Sequence, residues 1–350
     1  MKIGVLGAGQ LGRMLALAGY PLGFTFRFFD PAPDGPASAV AEQHVGEYSD
    51  LAALNRFADG LDVCTYEFEN VPLEAARHLA ARVPLYPPPI ALETAQDRLN
   101  EKTMFADLGI PTPRFAPVDD HVSLTVAVEL TGLPAVLKTR RMGYDGKGQR
   151  VVRTIAEAEQ AVVDLGGHAL ILEEFVPFQR ELSVITVRGA GGEVGHYPLV
   201  ENTHREGILR RSVSPAPSVT SAAIETAQSY GARLLDRLDY RGVLALELFE
   251  SDGKLIANEM APRVHNSGHG TIEGNVTSQF ENHVRAVAGL PLGDPSVRGQ
   301  WTMHNIIGDL PTPSETEETL RTPGAHLHLY GKAARPGRKL GHITTEHLAR

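Results

Sequence analysis

The sequence predicts a parallel α/β unit at the N-terminus that gives way to an α+β arrangement of antiparallel hairpins and helices. Three observations predict it. Over roughly residues 1–90 short apolar runs alternate with helix-spaced stretches, the pattern of parallel strands joined by crossover helices. Beyond residue 111 the strand-like runs come in pairs around glycine-rich turns. Between the two regions Pro87-Pro88-Pro89 and Pro111-Thr112-Pro113 break both patterns, on either side of a helix that carries Arg98, Lys102 and Phe105. A chain of 350 residues exceeds what one core usually organises, so two or three domains are expected.

Taken in order, Lys2 to Leu6 read as the first strand and Gly7-Ala8-Gly9-Gln10-Leu11-Gly12 as a turn. The spacing of Leu11, Leu15 and Ala18 marks the helix after it. Phe24 to Phe29, ending at Asp30, and Asp62 to Tyr66 are the next strands, with a helix near residues 50–59 between them. Further on, Ala135-Val136-Leu137-Lys138 and Val151-Val152 flank a glycine-rich segment, Leu170 to Glu174 and Leu182 to Val187 are strands, and residues 220–237 form a helix. Val243 to Glu250 and Lys254 to Met260 read as a hairpin around Ser251-Asp252-Gly253, a three-residue loop with glycine in the left-handed position. A final segment after Pro291 holds the strand His326-Leu327-His328-Leu329-Tyr330 and the basic stretch Lys332 to Lys339. The His326/His328 pair alternates with leucines and reads as structural rather than metal-binding.

Composition narrows the function classes. Hydrophobic residues at 42% and charged residues at 21% are those of a globular chain, and 33 Lys+Arg against 42 Asp+Glu leaves a net charge of −9. That balance argues against a general nucleic-acid binder, which needs a basic surface, while leaving room for a small anion in a local basic pocket. The single Cys64 excludes an internal disulfide framework, and no run reaches the ~18 apolar residues of a membrane span. Met1 to Leu6 is too short an apolar stretch for a signal peptide, so a cytoplasmic enzyme is expected.

Two features carry chemistry. Gly7, Gly9 and Gly12 match G-x-G-x-x-G, with Asp30 eighteen residues after Gly12. The motif fits a dinucleotide cofactor, as in a dehydrogenase, but its physics is more general: glycines allow close backbone approach, and the helix N-terminus beyond offers N–H groups to any phosphate. The second feature is the hairpin. With a three-residue loop Glu247 pairs with Ala257, and Glu247 and Glu259 become diagonal neighbours on one face, about 7–8 Å apart at the backbone. Two such carboxylates suit magnesium, which is usually held by one or two acids plus substrate phosphates, and Asn258 adds an oxygen donor. An exposed hairpin with solvated glutamates is the bland alternative. The flanking residues are apolar, however, and Ala261-Pro262-Arg263-Val264-His265-Asn266-Ser267-Gly268-His269 follows at once, dense in anion-binding types.

From Asn258 to His269 the chain resembles ATP-grasp enzymes, and more narrowly the N5-carboxyaminoimidazole ribonucleotide synthases of purine biosynthesis. Gly9-Gln10-Leu11-Gly12-Arg13-Met14, Thr65-Tyr66-Glu67-Phe68-Glu69-Asn70-Val71-Pro72, Gly143-Tyr144-Asp145-Gly146-Lys147-Gly148-Gln149 and Arg335-Pro336-Gly337-Arg338-Lys339-Leu340-Gly341-His342 look like the same family, in its order. The resemblance implies a Rossmann-like substrate-binding domain over residues 1–95, an ATP-grasp domain over 96–290, and a small, mostly β domain over 291–350. It also implies carboxylation of 5-aminoimidazole ribonucleotide with bicarbonate and ATP, through carboxyphosphate, and commonly a homodimer. Three departures stand out. Met142 occupies a position where glycine is frequent, Gly270 one where an aromatic is common, and the chain stops soon after His342 where relatives usually continue with a helix.

By the same resemblance Glu247 and Glu259 hold magnesium, Arg98 and Lys138 meet the ATP phosphates, and Gly143 to Gln149 form a phosphate lid to which Lys147 adds charge. Tyr144 and Asp145 orient the aminoimidazole and take its amine proton. The adenine lies against Glu173-Glu174-Phe175-Val176, Glu181 takes the ribose hydroxyls, and His204 is a further nucleotide contact. On the substrate side, Gln10 and Leu11 N–H groups, Lys332, Arg335, Arg338 and Lys339 suit the phosphate, Glu67 contacts the ribonucleotide, and Arg263, His265, Asn266 and Ser267 complete the pocket. The reading as a solvated surface charge fits Lys102 better than Lys138, which sits on an apolar strand. A dehydrogenase explains only the first turn and Asp30. A formate-dependent glycinamide ribonucleotide transformylase shares the ATP machinery and is the serious rival.

Overall fold

The computed structural model describes residues 1–143, 146–166 and 169–347. Four parallel strands come first: β1 (Lys2–Leu6), β2 (Thr25–Asp30), β3 (Glu42–Val45) and β4 (Val63–Tyr66), in the order β3-β2-β1-β4. After β1 the chain builds outward on one side and then returns to place β4 on the other. The crevice beyond the carboxyl ends of β1 and β4 is therefore a topological switch point, where open α/β sheets bind ligands. The sequence delivers two elements there: the glycine turn after Leu6 and Glu67 after Tyr66.

A second sheet is antiparallel, β5 (Phe115–Val118), β6 (Ala135–Thr139), β7 (Gln149–Val152) and β8 (Leu170–Glu174), in the order β5-β8-β6-β7. Its inner face buries Leu137, Val152, Leu170 and Leu172 against two helices, His121–Thr131 and Ile155–Asp164. The third sheet contains β9 (Arg180–Arg188), β10 (Val194–His196), β11 (Val200–Arg205), β12 (Ile208–Ser214), β13 (Gly242–Ser251) and β14 (Lys254–Ala261). The C-terminal strands β15 (Gln300–Ile307), β16 (Ala325–Leu329) and β17 (Lys339–His347) are β as expected, yet they form no sheet of their own. β15 pairs with β12, Ser212 opposite Met303, so the third sheet runs on through β15-β17-β16.

Cores cross the expected boundaries as well. The first helix (Gln10–Gly19) packs on the Gln279–Ala288 helix, so Met14 and Leu15 share one buried cluster with Phe280, Val284 and Val287. Apolar burial at roughly 25 cal/mol per Å² ties the parallel unit to the larger sheet, which holds the two halves of the cleft in register. Among the described residues no helix is long and apolar enough to cross a membrane.

Candidate active site

One cleft of about 580 Å³ is lined by residues of the second and third sheets and, from the parallel unit, by Gln10 and Leu11 of the first helix and Glu69 and Asn70 after β4; it runs from Gln10 and Arg263 at one end to Lys138, Phe175 and Glu259 at the other. Its acidic centre is the β13–β14 hairpin. The turn differs from the expected one: Ser251 pairs with Lys254, leaving a two-residue loop in which Asp252 (φ +48°) and Gly253 (φ +72°) are both left-handed. Asp-Gly is the pair that such a tight turn favours, and it outcompetes the three-residue loop. The register would then leave Glu247 and Glu259 out of step, but a bulge between Glu247 and Leu248 admits one extra residue on β14, Asn258. Glu247 and Glu259 therefore stand directly opposite each other rather than diagonally.

The donor set fits a hard cation. Two carboxylates face one another, and the buried Asn258 Oδ1 has no hydrogen-bond partner among the described residues. Arg98 Nη1 donates to Glu259 Oε2 at 2.7 Å, and His265 Nε2 lies 3.1 Å from Glu247 Oε1. Burial would raise the Glu259 pKa, but the Arg98 charge and hydrogen bond pull it down to about 2, so the acid is ionised and ready to ligate.

Cations come from the opposite wall. Lys138 on β6 donates to Glu173 Oε2 on β8 at 2.8 Å. Lys102 corrects the sequence reading: it is fully buried, with Nζ 3.2 Å from the same Glu173 oxygen and donating to the Asn258 carbonyl at 2.9 Å. The lysine is inside because three acceptors converge on it, including Thr112 Oγ1 at 3.2 Å. Above this wall the glycine segment returns from β6 to β7. Gly146 and Gly148 have φ of +74° and +71°, and a Cβ on Gly146 would sit 3.0 Å from Gly207 Cα in the β11–β12 turn. Glycine is thus required both by conformation and by the approach of a loop from the other sheet. Gly143, Lys147 and Gln149 line the cleft, whereas Tyr144 and Asp145 lie outside the described residues.

Along the far edge Glu173, Glu174, Phe175 and Val176 all border the cleft. Only Glu173 turns its carboxylate inward; Glu174 pairs with Arg114 at 3.0 Å on the outside, so its contribution to a bound ring is confined to the backbone. Phe178 and Phe249, 4.6 Å apart and stacked, add an aromatic wall that the sequence reading missed. Glu181 Oε2 meets His204 Nδ1 at 2.7 Å. Burial alone would lower the His204 pKa, and the Glu181 hydrogen bond with the Glu247 charge raises it above its ordinary value.

At the other end the glycine turn already holds an anion. Glu67 accepts from Gly9 N–H and, at 2.7 Å, from Gly12 N–H, and a Cβ on Gly7 or Gly9 would collide with its side chain. Asp30 likewise accepts from Ala8 N–H at 3.0 Å and Ala32 N–H at 2.8 Å, one on each oxygen, so it braces the same turn. The decoy fingerprint is thus a carboxylate cradle. Gln10 and Leu11 remain on the cleft wall. Burial raises the Glu67 pKa against the two N–H donors, and depresses that of Lys332 to about 8, partly offset by Glu67. Arg263 pairs with Glu69, the second acid of the Tyr-Glu-Phe-Glu motif, which carries no role in the sequence reading. Ser267 is buried and touches His265 Nδ1 at 2.8 Å, so it orients a pocket residue instead of lining the pocket. Asn266 exchanges hydrogen bonds with Asn305 at 3.0 and 2.8 Å. Lys339 borders the cleft, while Arg335 is exposed and Arg338 is half-buried with a bond to the Ala333 carbonyl at 3.2 Å.

Comparison with known proteins meets this geometry from outside. Residues 1–96 match the ribonucleotide synthetase preATP-grasp domain, 103–280 the ATP-grasp domain, and 302–347 the phosphoribosylaminoimidazole carboxylase C-terminal domain. An N5-carboxyaminoimidazole ribonucleotide synthase of Pseudomonas aeruginosa is 53% identical over 98% of this chain and 94% of its own length. That of Brucella melitensis is 46% identical over 98% of this chain and 95% of its own length. The chain belongs to the N5-carboxyaminoimidazole ribonucleotide synthase family. Among solved structures, the synthetase from Thermus thermophilus superposes with a TM-score of 0.95 at 60% identity, covering 99% of this chain and 93% of that one. A synthase from Aspergillus clavatus, solved in complex with ADP and 5-aminoimidazole ribonucleotide, superposes with a TM-score of 0.91 at 33% identity over the same shares.

Two departures from the synthase pattern acquire physical reasons. Met142 has φ +62°, a left-handed conformation that glycine adopts freely, and its side chain is exposed at the mouth of the lid. Gly270 faces Trp301, which is fully buried: a Cβ on Gly270 or Gly274 would run into the indole. An aromatic ring from β15 thus packs against position 270, and Trp301 Nε1 is satisfied by Asn275 Oδ1 at 3.1 Å.

Proposed function

We infer that the chain joins bicarbonate to the amine of 5-aminoimidazole ribonucleotide, driven by ATP, giving N5-carboxyaminoimidazole ribonucleotide, ADP and phosphate. The observation that carries the reading is the continuity of the cleft: a carboxylate pair and a lysine wall at one end open directly onto the switch point of the parallel sheet at the other. Bicarbonate is a poor electrophile, so its oxygen first attacks the γ-phosphorus and expels ADP. The amine then attacks the carbon of carboxyphosphate, phosphate leaves, and the amine gives up a proton.

Phosphoryl transfer asks for positioning and charge neutralisation more than covalent chemistry. Arg98 and Lys138 supply fixed positive charge toward the phosphates. Magnesium, held by Glu247 and Glu259 with Asn258 as a further oxygen donor, would supply Lewis-acid neutralisation there. Gly143 to Gln149 cover the phosphates and exclude water, with Tyr144 and Asp145 orienting the aminoimidazole and Asp145 taking its proton. Phe175, Val176, Glu181 and His204 hold the nucleoside. Gln10, Leu11, Glu67, Arg263, His265, Lys332, Arg335 and Arg338 hold the second substrate, and Asn266 and Ser267 brace that pocket. The same reading includes a homodimer and a cytoplasmic location, which sedimentation and cell fractionation test.

The deciding experiment is ADP release by the purified protein. It should require 5-aminoimidazole ribonucleotide, bicarbonate and magnesium together, with the carboxylated product identified by mass. ADP release with glycinamide ribonucleotide and formate, and none with the aminoimidazole, would move the assignment to the formate-using ligases.

A further inference from the structure

The Arg98–Asp107 helix presents Arg98, Glu101 and Lys102 on one face, the i, i+3, i+4 spacing that stacks side chains over adjacent turns. All three reach the bulged stretch of β14, each at a different atom. Arg98 binds the Glu259 carboxylate at 2.7 Å, Glu101 Oε1 accepts from Met260 N–H at 2.7 Å, and Lys102 donates to the Asn258 carbonyl at 2.9 Å. Thr112, which accepts from Lys102, donates to the Ala257 carbonyl at 2.9 Å, so four successive residues of the bulge are held from one side.

Arg98 reaches the opposite wall through its N–H, which donates to the Arg140 carbonyl at 3.0 Å, and Lys102 reaches it through its ammonium. Glu173 Oε2 lies between Lys102 (3.2 Å) and Lys138 (2.8 Å), all three side chains being nearly or wholly buried. Burial would push the Glu173 carboxyl up, but the charges of Lys102 and then Lys138 hold it below the usual carboxylate range. With two ammoniums on one carboxylate, the group keeps one positive charge in excess. Without Lys102 it would be neutral, and the charge of Lys138 would be consumed by Glu173 in a poorly solvated site.

We propose that Lys102 is a positioning residue of the nucleotide site: it neutralises Glu173, so that Lys138 is free to meet an incoming polyphosphate, and it pins the Asn258 bulge that sets Glu259 opposite Glu247. The proposal rests on the reading of this cleft as an ATP site. It assigns Lys102 no contact with substrate.

The test is calorimetric binding of magnesium-ATP and, separately, of 5-aminoimidazole ribonucleotide to the full chain and its variants. Lys102→Met should weaken magnesium-ATP about tenfold or more, the worth of a lost charge-assisted bond, with aminoimidazole ribonucleotide affinity within about twofold of wild type. Adding Glu173→Gln to Lys102→Met should recover most of the loss, because Lys138 no longer faces an unshared acid; a merely structural lysine predicts a further loss instead. Unchanged magnesium-ATP affinity in Lys102→Met, an equal loss for both ligands, or no recovery in the double variant overturns the proposal. Should Lys102→Met not fold, Thr112→Val loosens the same anchor without stranding a charge and should raise the magnesium requirement for ATP binding; an unaltered requirement there overturns it equally. Wild type that binds magnesium-ATP but does not consume the aminoimidazole would sink the function reading and leave this one standing.

Discussion

Arg98 and Glu259 meet at 2.7 Å on the cleft wall, a guanidinium and a carboxylate that come from positions 161 residues apart. The contact makes the acid's charge state independent of any bound cation. Arg98 holds Glu259 ionised, with its pKa at about 2, so a metal ion arriving with the nucleotide would find a deprotonated ligand.

Glu259→Gln should therefore abolish turnover through the metal, by at least about a hundredfold, the scale of losing one electrostatic element at a transferring group. Aminoimidazole ribonucleotide binding, which the proposed reading assigns to the other end of the cleft, should stay within about twofold by calorimetry. Loss of that binding would assign Glu259 to the substrate side.

Glu101 has the opposite electrostatics. Burial, then the Glu259 charge, raise its pKa from 4.5 to about 8. Between those values the unfolded chain has released a proton that the folded chain still holds. The group's contribution is thus full below about 4.5 and lost as pH climbs through about 8, so stability should fall with rising pH across this window. Glu101→Gln keeps an acceptor for Met260 N–H and should flatten the dependence, gaining a few degrees in melting temperature at the alkaline end. Parallel melting curves for the two proteins across the window would show that Glu101 titrates normally.

How much of this was legible in the sequence depends on the range of the determining contact. Glu247 and Glu259 could be picked out because strand alternation and a short turn are local signals. Their exact opposition could not, since one bulge residue shifts the register and Asn258 carries no mark of being that residue. Lys102 was misread because Arg98 to Asp107 is mostly polar, with only Leu99, Met104, Phe105 and Ala106 apolar, so periodicity sends its charges to solvent. What turns them inward is a partner strand some 156 residues away. The glycine turn was legible as an anion cradle, but that the anion is Glu67 follows from the pairing of β1 with β4, Leu6 opposite Tyr66. Continuity of the third sheet through β15 likewise rests on a long-range pairing without local signature.

Gly270 and Trp301 form a complementary pair. Trp301→Ala should destabilise by about 3–5 kcal/mol, the usual result of emptying a buried aromatic position. Gly270→Trp alone overpacks the same space and should destabilise by at least about 1–3 kcal/mol. Together they should recover part of the loss, a coupling read by chemical denaturation of all four proteins. Strict additivity would mean that the indole at 301 and the aromatic common at 270 in relatives occupy different volumes.

Lys332 gives the substrate end its own pH signature. Burial lowers its pKa first, neighbouring Arg338, Lys339 and Arg335 lower it further, and Glu67 raises it only in part, leaving it at about 8. The ammonium is present below that value and disappears above it, so affinity for the substrate phosphate should weaken as pH rises through about 8. The expected profile is a KM for aminoimidazole ribonucleotide that climbs with pH while KM for ATP stays level, because Lys332 sits in the field of Glu67, away from the proposed nucleotide contacts. Lys332→Met should raise that KM at neutral pH by about tenfold, one charge-assisted phosphate contact, and remove the slope. Glu67→Gln separates the contributions: its amide would set a donor against the Gly9 or Gly12 N–H, destabilising the fold by about 1–3 kcal/mol and raising the same KM, yet the slope from Lys332 should persist at a lower pH. A slope that Lys332→Met leaves intact would place the titrating group elsewhere, on the substrate or on another side chain.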